Sequence, residues 1–298
     1  LKEGFQLFHY IKYHGKISIN FKLGKGECDV IDVATHNGVA CVQGTHVAYG
    51  MPWSVYLFFF DGMVVDASAK VFEKALIPFY QSNPIDMVVL THTHDDHIGT
   101  AGWLENNKRV PIYVHPGAVA FCSEPCDYAG TFREALWGKR DPFAALPLGE
   151  AIDSLHYTWR VIETPGHAPD HVVLLNEELG ILFSGDLFIT PKPKVIMSHE
   201  SVPQMMRSLR KVLAYDFQSV YCCHAGYLSE GKKMLQMKLD YLEEMFGKVS
   251  SLFQQGYAIA EIDRQLFPDK FPITSISDGR FDSVHMVRSI VEELAGMK

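Results

Sequence analysis

The sequence predicts a layered α/β fold, on three observations. Short β-branched runs alternate with segments of helical spacing from about residue 20 to residue 228. From Ser229 onward strand patterns stop and long helical patterns take over. Polar side chains stand where apolar runs end, the place at which a layered sheet brings distant residues together.

Each element has its own signal. "SVYLFFFDGMVVDAS" reads as two strands around an Asp61-Gly62 hairpin turn. "KVFEKALIPFYQS" has apolar residues at helical spacing, and "IDMVVL" is a short buried strand. "IGTAGWLENN" reads as a helix, with Gly99 and Gly102 permitting close packing, and "VPIYVH" as the next strand. Residues 117–150 show no clean period and read as an insertion, either a packed surface excursion or a substrate lid. "HYTWRVIETP" and "HVVLLNEELGILFSGD" follow as strands, the latter with a turn at Asn176 to Gly180. "SVPQMMRSLRKVLAY" is an amphipathic helix, and "FQSVYCCHAG" a strand entering a loop. Beyond it, "EGKKMLQMKLDYLEEMFGKVSSLFQQG" and "SVHMVRSIVEELAG" are helical, joined by the Pro-containing "LFPDKFPITSISDG". The expected division is a body over 1–228 and a helical extension over 229–298.

At 298 residues the chain is long enough to bury a core without staples. Its formal charge of -8 disfavours a nucleic-acid binder. No stretch approaches the ~18 apolar residues of a membrane span. The N-terminal stretch shows no apolar run followed by a cleavage site, so no signal peptide is expected. Cys28, Cys41, Cys122, Cys126, Cys222 and Cys223 include no CxxC pair, and they read as free thiols in a reducing, cytoplasmic compartment. A Cys122–Cys126 disulfide is the lesser alternative.

"LTHTHDDHIGTAGW" concentrates three histidines and two aspartates within six residues. In an extended segment residues i and i+2 point the same way, so His92 and His94 present two imidazoles to one side. Asp96 and His97 follow at the turn into a helix. Imidazole and carboxylate suit zinc, iron or manganese. Four donors this close crowd one tetrahedral ion but suit a neighbouring pair. His167 in "ETPGHAPDH", Asp186 in "LFSGDLF" and His224 in "YCCHAG" stand at strand ends beside small residues and are candidates to complete the sites. Asp95 is not expected to ligate; His171 either orients a ligand or lies at the surface. His46 and His115 read as ordinary hydrogen-bonded histidines.

In their order, "THTHDDH", "TPGH", "SGD" and "HAG" resemble the motifs of the metallo-β-lactamase superfamily of dinuclear hydrolases, over about residues 50 to 228. The resemblance implies a four-layer αββα sandwich with two divalent ions at one edge, zinc first, with iron or manganese as alternatives. It implies that His92, His94 and His167 hold one ion and that Asp96, His97 and His224 hold the other. Asp186 would bridge both together with a water. Where the superfamily often carries Asp-Thr-Gly this chain has "DAS", which keeps Asp66 as a supporting acid and alters the turn after it.

A hydroxide bridging two ions would attack a carbonyl or phosphoryl centre, with Asp186 setting the spacing and Asp96 orienting the nucleophile. Asp186 argues against β-lactam hydrolysis, His94 against a flavodiiron oxygen reductase, and "CCHAGYLSEG" gives no support for glutathione specificity. The expected activity is hydrolysis of a small ester, thioester or lactone. The alternatives are a mononuclear iron persulfide dioxygenase, a phosphodiesterase or ribonuclease-type hydrolase, and a non-catalytic metal-binding protein. The aromatics Phe121, Tyr128, Phe132, Trp137 and Phe143 either wall an acyl pocket or pack the core. Lys192 and Lys194 either bind an anionic substrate tail or stay solvated, and Tyr227 is a weak candidate for a general acid. The helical extension covers the site, forms a homodimer surface, or both. The expected partner is a small-molecule substrate, with neither nucleic acid nor membrane.

Overall fold

The Asp61–Gly62 turn sets the frame of the first sheet. Both residues have positive φ, 50° and 77°, as a two-residue hairpin turn requires, and Phe60 pairs with Met63 across it. The structure, a computed structural model, describes residues 30–296 apart from 127 and 129, and the backbone alone of 11–13 and 16–20. Cys28 and most of the N-terminal stretch in which a signal peptide was sought lie outside the described residues.

The first sheet runs in chain order through β1 (Ile11–Tyr13), β2 (Lys16–Asn20), β3 (Val30–His36), β4 (Val39–Ala48), β5 (Met51–Phe60), β6 (Met63–Val65), β7 (Met87–Val89), β8 (Ile112–Val114) and β9 (Leu146–Pro147). It is antiparallel up to β6 and parallel from β6 to β9. The second sheet holds β10 (Ala151–Asp153), β11 (Thr158–Glu163), β12 (Val172–Asn176), β13 (Ile181–Gly185), then β15 (Ser219–Cys222) and β16 (Gly226–Leu228). The short strands β14 (Ile196–Met197) and β17 (Phe281–Asp282) pair separately.

Alternation along the second sheet shows why the layers stack as they do. Val172, Leu174, Ile181, Phe183 and Tyr221 pack toward the first sheet. Their neighbours Val173, Leu175, Leu182, Val220 and Cys222 pack toward helices. The first sheet carries α1 (Glu73–Ser82) and α3 (Ala101–Lys108); the second carries α6 (Val202–Leu213), α7 (Gly231–Gln254) and α10 (Val284–Leu294). The result is the expected helix–sheet–sheet–helix sandwich. Helix α7 lays Leu235, Leu239, Leu242, Met245 and Val249 against the second sheet, one apolar stripe at helical spacing.

Three elements differ from the sequence reading. "IGTAGWLENN" is not one helix: α2 (Asp95–Ile98) ends before α3 begins. The loop after β6 causes the break, because the Gly99 and Thr100 amides donate to Ser68 and Ala67 carbonyls at 2.7 and 3.0 Å. A Cβ at Gly99 would lie 2.2 Å from the Lys70 nitrogen, so only glycine fits. The insertion holds α4 (Val119–Ser123) and α5 (Phe132–Trp137), and its end supplies edge strand β9. Beyond α7 the chain forms α8 (Ile259–Leu266) and α9 (Pro272–Ile276), with Pro272 starting a helix where it was read as part of a linker. Cys41, Cys122, Cys126, Cys222 and Cys223 are free and buried. Among the described residues no helix is long and apolar enough to cross a membrane.

Candidate metal centre

All seven side chains singled out by sequence converge at one edge between the sheets. His92 and His94 leave the end of β7, Asp96 and His97 open α2, and His167 follows β11. Asp186 follows β13 and His224 follows β15. The donor atoms of His92, His94 and His167 lie within 4.8 Å of one another, as do those of Asp96, His97 and His224. The ring nitrogens of His92 and His167 each stand 2.9 Å from Nδ1 of His94. Asp186 Oδ2 lies between the two groups, 3.4 Å from His167 Nε2, 3.5 Å from His97 Nε2 and 3.2 Å from His224 Nε2.

Hydrogen bonds on the outer side fix which nitrogen each ring turns inward. His92 Nδ1 faces the Thr91 hydroxyl at 3.1 Å, and His97 Nδ1 faces Asp66 Oδ2 at 3.0 Å. His167 Nδ1 meets Glu200 Oε1, and His224 Nδ1 meets the Ser54 carbonyl at 3.1 Å. In all four it is Nε2 that faces into the cluster, the orientation that ligating histidines adopt. His94 is reversed, with Nδ1 inward.

The donor set fits a cation on two further grounds. His97 Nε2 and Asp186 Oδ1 are buried without a hydrogen-bond partner, which costs about 1–3 kcal/mol for each such group in a chain with nothing to coordinate. The charges are also sorted. Burial, reinforced by neighbouring histidines, holds His92 and His167 well below the usual histidine range, and burial takes His94 to about 4, so this trio is neutral. Burial also opposes charge on His97 and His224, but Asp186 and the adjacent carboxylates reverse that and hold both well above the usual range.

The supporting residues divide by origin. Asp66 is fully buried at positive φ, 62°, and receives hydrogen bonds from the Thr91 amide (2.7 Å), the Thr91 hydroxyl, His97 and the Cys223 thiol (2.8 Å). It thus supports a candidate ligand despite the altered turn that follows it. His171 is buried, accepting from the Asp186 amide at 3.0 Å while Nδ1 meets the Thr164 hydroxyl at 2.8 Å. Gly185 before Asp186 is obligatory, since a Cβ there would lie 2.7 Å from both His171 Nε2 and Thr91 Oγ1.

Two supports escaped the sequence reading. Glu200 reaches both His167 and the Met197 amide. Lys238, only 4 % exposed, donates to the carbonyls of Leu187 and Phe188 at 2.7 and 2.8 Å, directly after Asp186. Burial pushes the Glu200 carboxyl up to about 8 and the Lys238 ammonium down to about 8. Lys238 had a signal: it interrupts the apolar stripe of Leu235, Leu239 and Leu242. Glu200 had none, because the segment that carries it shows no period.

Asp95 stands aside from the donor groups, held by Arg133 at 2.6 and 2.9 Å. Tyr227 stacks on His36 with ring centroids 4.3 Å apart and does not line the cavity at the centre. Of the insertion's aromatics, Phe132 and Trp137 line that cavity, Tyr128 and Phe143 are buried, and Phe121 is exposed. His199, unremarked in the sequence, faces the cavity edge-on to His94, with centroids 5.4 Å apart. His46 is buried against Phe72 and Trp137, and His115 accepts from the Gly117 amide.

The family profile described as the metallo-beta-lactamase superfamily matches residues 61–224, more than half of the chain and the span carrying every candidate ligand. The chain belongs to the metallo-beta-lactamase superfamily. It is 26% identical over 145 residues to the probable metallo-hydrolase YflN of Bacillus subtilis (strain 168), covering 44% of this chain and 54% of that one. It is 28% identical over 178 residues to the beta-lactamase-like protein 2 homolog of Drosophila melanogaster, covering 57% and 55%. It is 30% identical over 146 residues to a hydroxyacylglutathione hydrolase of Hahella chejuensis (strain KCTC 2396), covering 48% and 49%. The chain therefore spans about half the length of these curated relatives. A crystal structure of a metallo-beta-lactamase family protein from Thermus thermophilus superposes with a TM-score of 0.60, over 88% of this chain and 94% of that one. At 20% identity that likeness shows the shared fold.

Proposed function

We propose that this chain is a metal-dependent hydrolase cleaving a small ester, thioester or lactone at a two-ion centre. His92, His94 and His167 would hold one ion, Asp96, His97 and His224 the other, and Asp186 would bridge them. The observation that carries the reading is Asp186 Oδ2, within 3.5 Å of imidazole nitrogens from both groups. Hydrolase names among the relatives, thioester cleavage included, support the same class.

Divalent ions bound here would supply Lewis acidity, acidifying water and polarising the substrate's carbonyl. The chain's own residues supply placement. His171 fixes the Asp186 backbone, Asp66 and Glu200 orient His97 and His167, and Asp96 faces His224 at 3.2 Å. Trp53, Phe132 and Trp137 give the cavity an apolar wall that limits water. In the balanced reaction the oxygen of water bonds to the acyl carbon and the C–O or C–S bond breaks. One proton of that water ends on the leaving oxygen or sulfur.

The test is metal-depleted protein reloaded with zinc, iron or manganese and assayed on ester, thioester, lactone and phosphodiester panels. Turnover of an acyl substrate that vanishes on chelation and returns with metal is expected. Oxygen consumption with a thiol persulfide at one iron per chain would overturn the reading. So would inactivity on every acyl substrate in the fully metallated protein.

A further inference from the structure

Two cavities meet at the metal-binding side chains. The first, about 400 Å³, runs from His94, Asp96 and His224 beneath Phe132, Trp137 and Arg280. The second, about 470 Å³, leaves the same point past His167, Asp186 and Ile189 toward Val195, Ile196 and Met205. A reacting acyl carbon at the junction carries a substituent on each side. The paired cavities therefore fit two arms of one substrate.

The two arms meet different chemistry. The second cavity is walled mainly by hydrocarbon, and its buried ionisable groups are engaged: Asp186 by His167 and His224, Glu200 by His167 and the Met197 amide, Lys238 by two carbonyls. The first cavity carries two guanidiniums. Arg133 is committed to Asp95 through two hydrogen bonds. No carboxylate among the described residues pairs with Arg280, whose Cζ stands 6.0 Å over the Phe132 ring.

Its position is built by the helical extension. The Arg280 carbonyl accepts from the Ser198 amide at 2.9 Å, and the next residue, Phe281, pairs with Met197 between β17 and β14. Phe281 also meets Phe132 of the insertion edge-on, with centroids 6.4 Å apart. Insertion and extension thus close over the first cavity together, holding an uncompensated cation on a chain of net charge -8.

We infer that Arg280 recognises an anionic group on the leaving-group arm of the substrate while the second cavity takes an apolar acyl arm. The substrate class is an acyl ester or thioester ending in a carboxylate or phosphate, both of which a planar guanidinium binds through paired hydrogen bonds. This rests on the hydrolase reading above. Lys194 is the natural control: like Arg280 it is exposed, but it stands at the second cavity, its ammonium 5.6 Å over the Phe271 ring.

The test crosses acetyl and octanoyl esters and thioesters with leaving arms ending in carboxylate, phosphate or a neutral amide, using the metal-loaded chain. Matching non-hydrolysable ethers are titrated by calorimetry, so that recognition is read whether or not turnover occurs. The expected result is about tenfold higher kcat/KM and tighter ether binding for an anionic arm, carried mainly in KM. Octanoyl should exceed acetyl. The charge preference should vanish in Arg280→Gln, partly return in Arg280→Lys and persist in Lys194→Gln. A stronger response to carboxylate or to phosphate identifies which anion is used. Equal treatment of neutral and anionic arms, or a preference surviving Arg280→Gln, overturns the inference. If turnover continues in that case, the hydrolase reading still stands. Arg280-dependent ether binding without hydrolysis sinks the hydrolase reading while the recognition of the anionic arm survives.

Discussion

The candidate metal centre has two halves built in different ways. His92, His94, Asp96 and His97 come from six consecutive residues at the end of β7 and the start of α2, and their anchor is Asp66 in the same sheet's loop. His167, Asp186 and His224 come from three separate strand ends, and their anchors include Glu200 and Lys238 of α7. The first half is a local turn with one buried acid behind it. The second half depends on how the helical extension packs, so a change far along the chain reaches it.

The largest effect should come from breaking the local anchor. Asp66→Ala removes an acceptor used by Thr91, His97 and Cys223 in a fully buried position. We expect a loss of about 3 kcal/mol or more in urea unfolding, with metal content falling too. An unchanged unfolding midpoint would mean that the first half holds itself.

Glu200→Gln attacks the other half. It keeps an oxygen facing His167 Nδ1 but takes away the carboxyl group that meets both His167 and the Met197 amide, and should weaken binding of one ion by about 10–100-fold in chelator competition. The ion proposed for Asp96, His97 and His224 should be little affected. Equal loss of both ions would show that Glu200 does not act through His167 alone. Lys238→Met leaves the Leu187 and Phe188 carbonyls without their donor, at a cost of about 1–3 kcal/mol. Its unfolding midpoint should drop, and ion occupancy at Asp186 should fall with it.

Charge sharpens the comparison at smaller amplitude. The neutral trio His92, His94 and His167 has no proton to lose at neutral pH, whereas His97 and His224 are held protonated. Metal uptake near pH 7 should release about two protons, one from each of the latter pair. Because those pKa values are raised, apparent affinity should fall as pH falls. Calorimetry in buffers of different ionisation enthalpy measures this, and uptake without proton release would contradict it.

The same contrast explains what was legible in the sequence. "THTHDDH" could be read directly because contiguous donors leave little for tertiary structure to decide. His167, Asp186 and His224 were legible only through their small neighbours and their order. Gly185 shows the physical basis, since the backbone must pass His171 and Thr91 too closely for any Cβ. Glu200 was illegible because its partner is set by chain crossing: 33 positions separate it from His167. The fold's strands were read from short apolar, β-branched runs, which arise where both faces of a strand are packed. The break at Gly99 was missed because it is imposed by carbonyls of Ala67 and Ser68, remote in sequence. The bounds of the short elements α4, α5 and α9 could not be read because five or six residues cannot display a helical period.

The most direct measurement is metal stoichiometry and turnover of the reconstituted chain beside its Asp186→Ala variant. About two ions per wild-type chain are expected, with occupancy and acyl hydrolysis falling together in the variant. Full turnover in Asp186→Ala, or a single ion in the fully active wild type, would contradict the bridged pair.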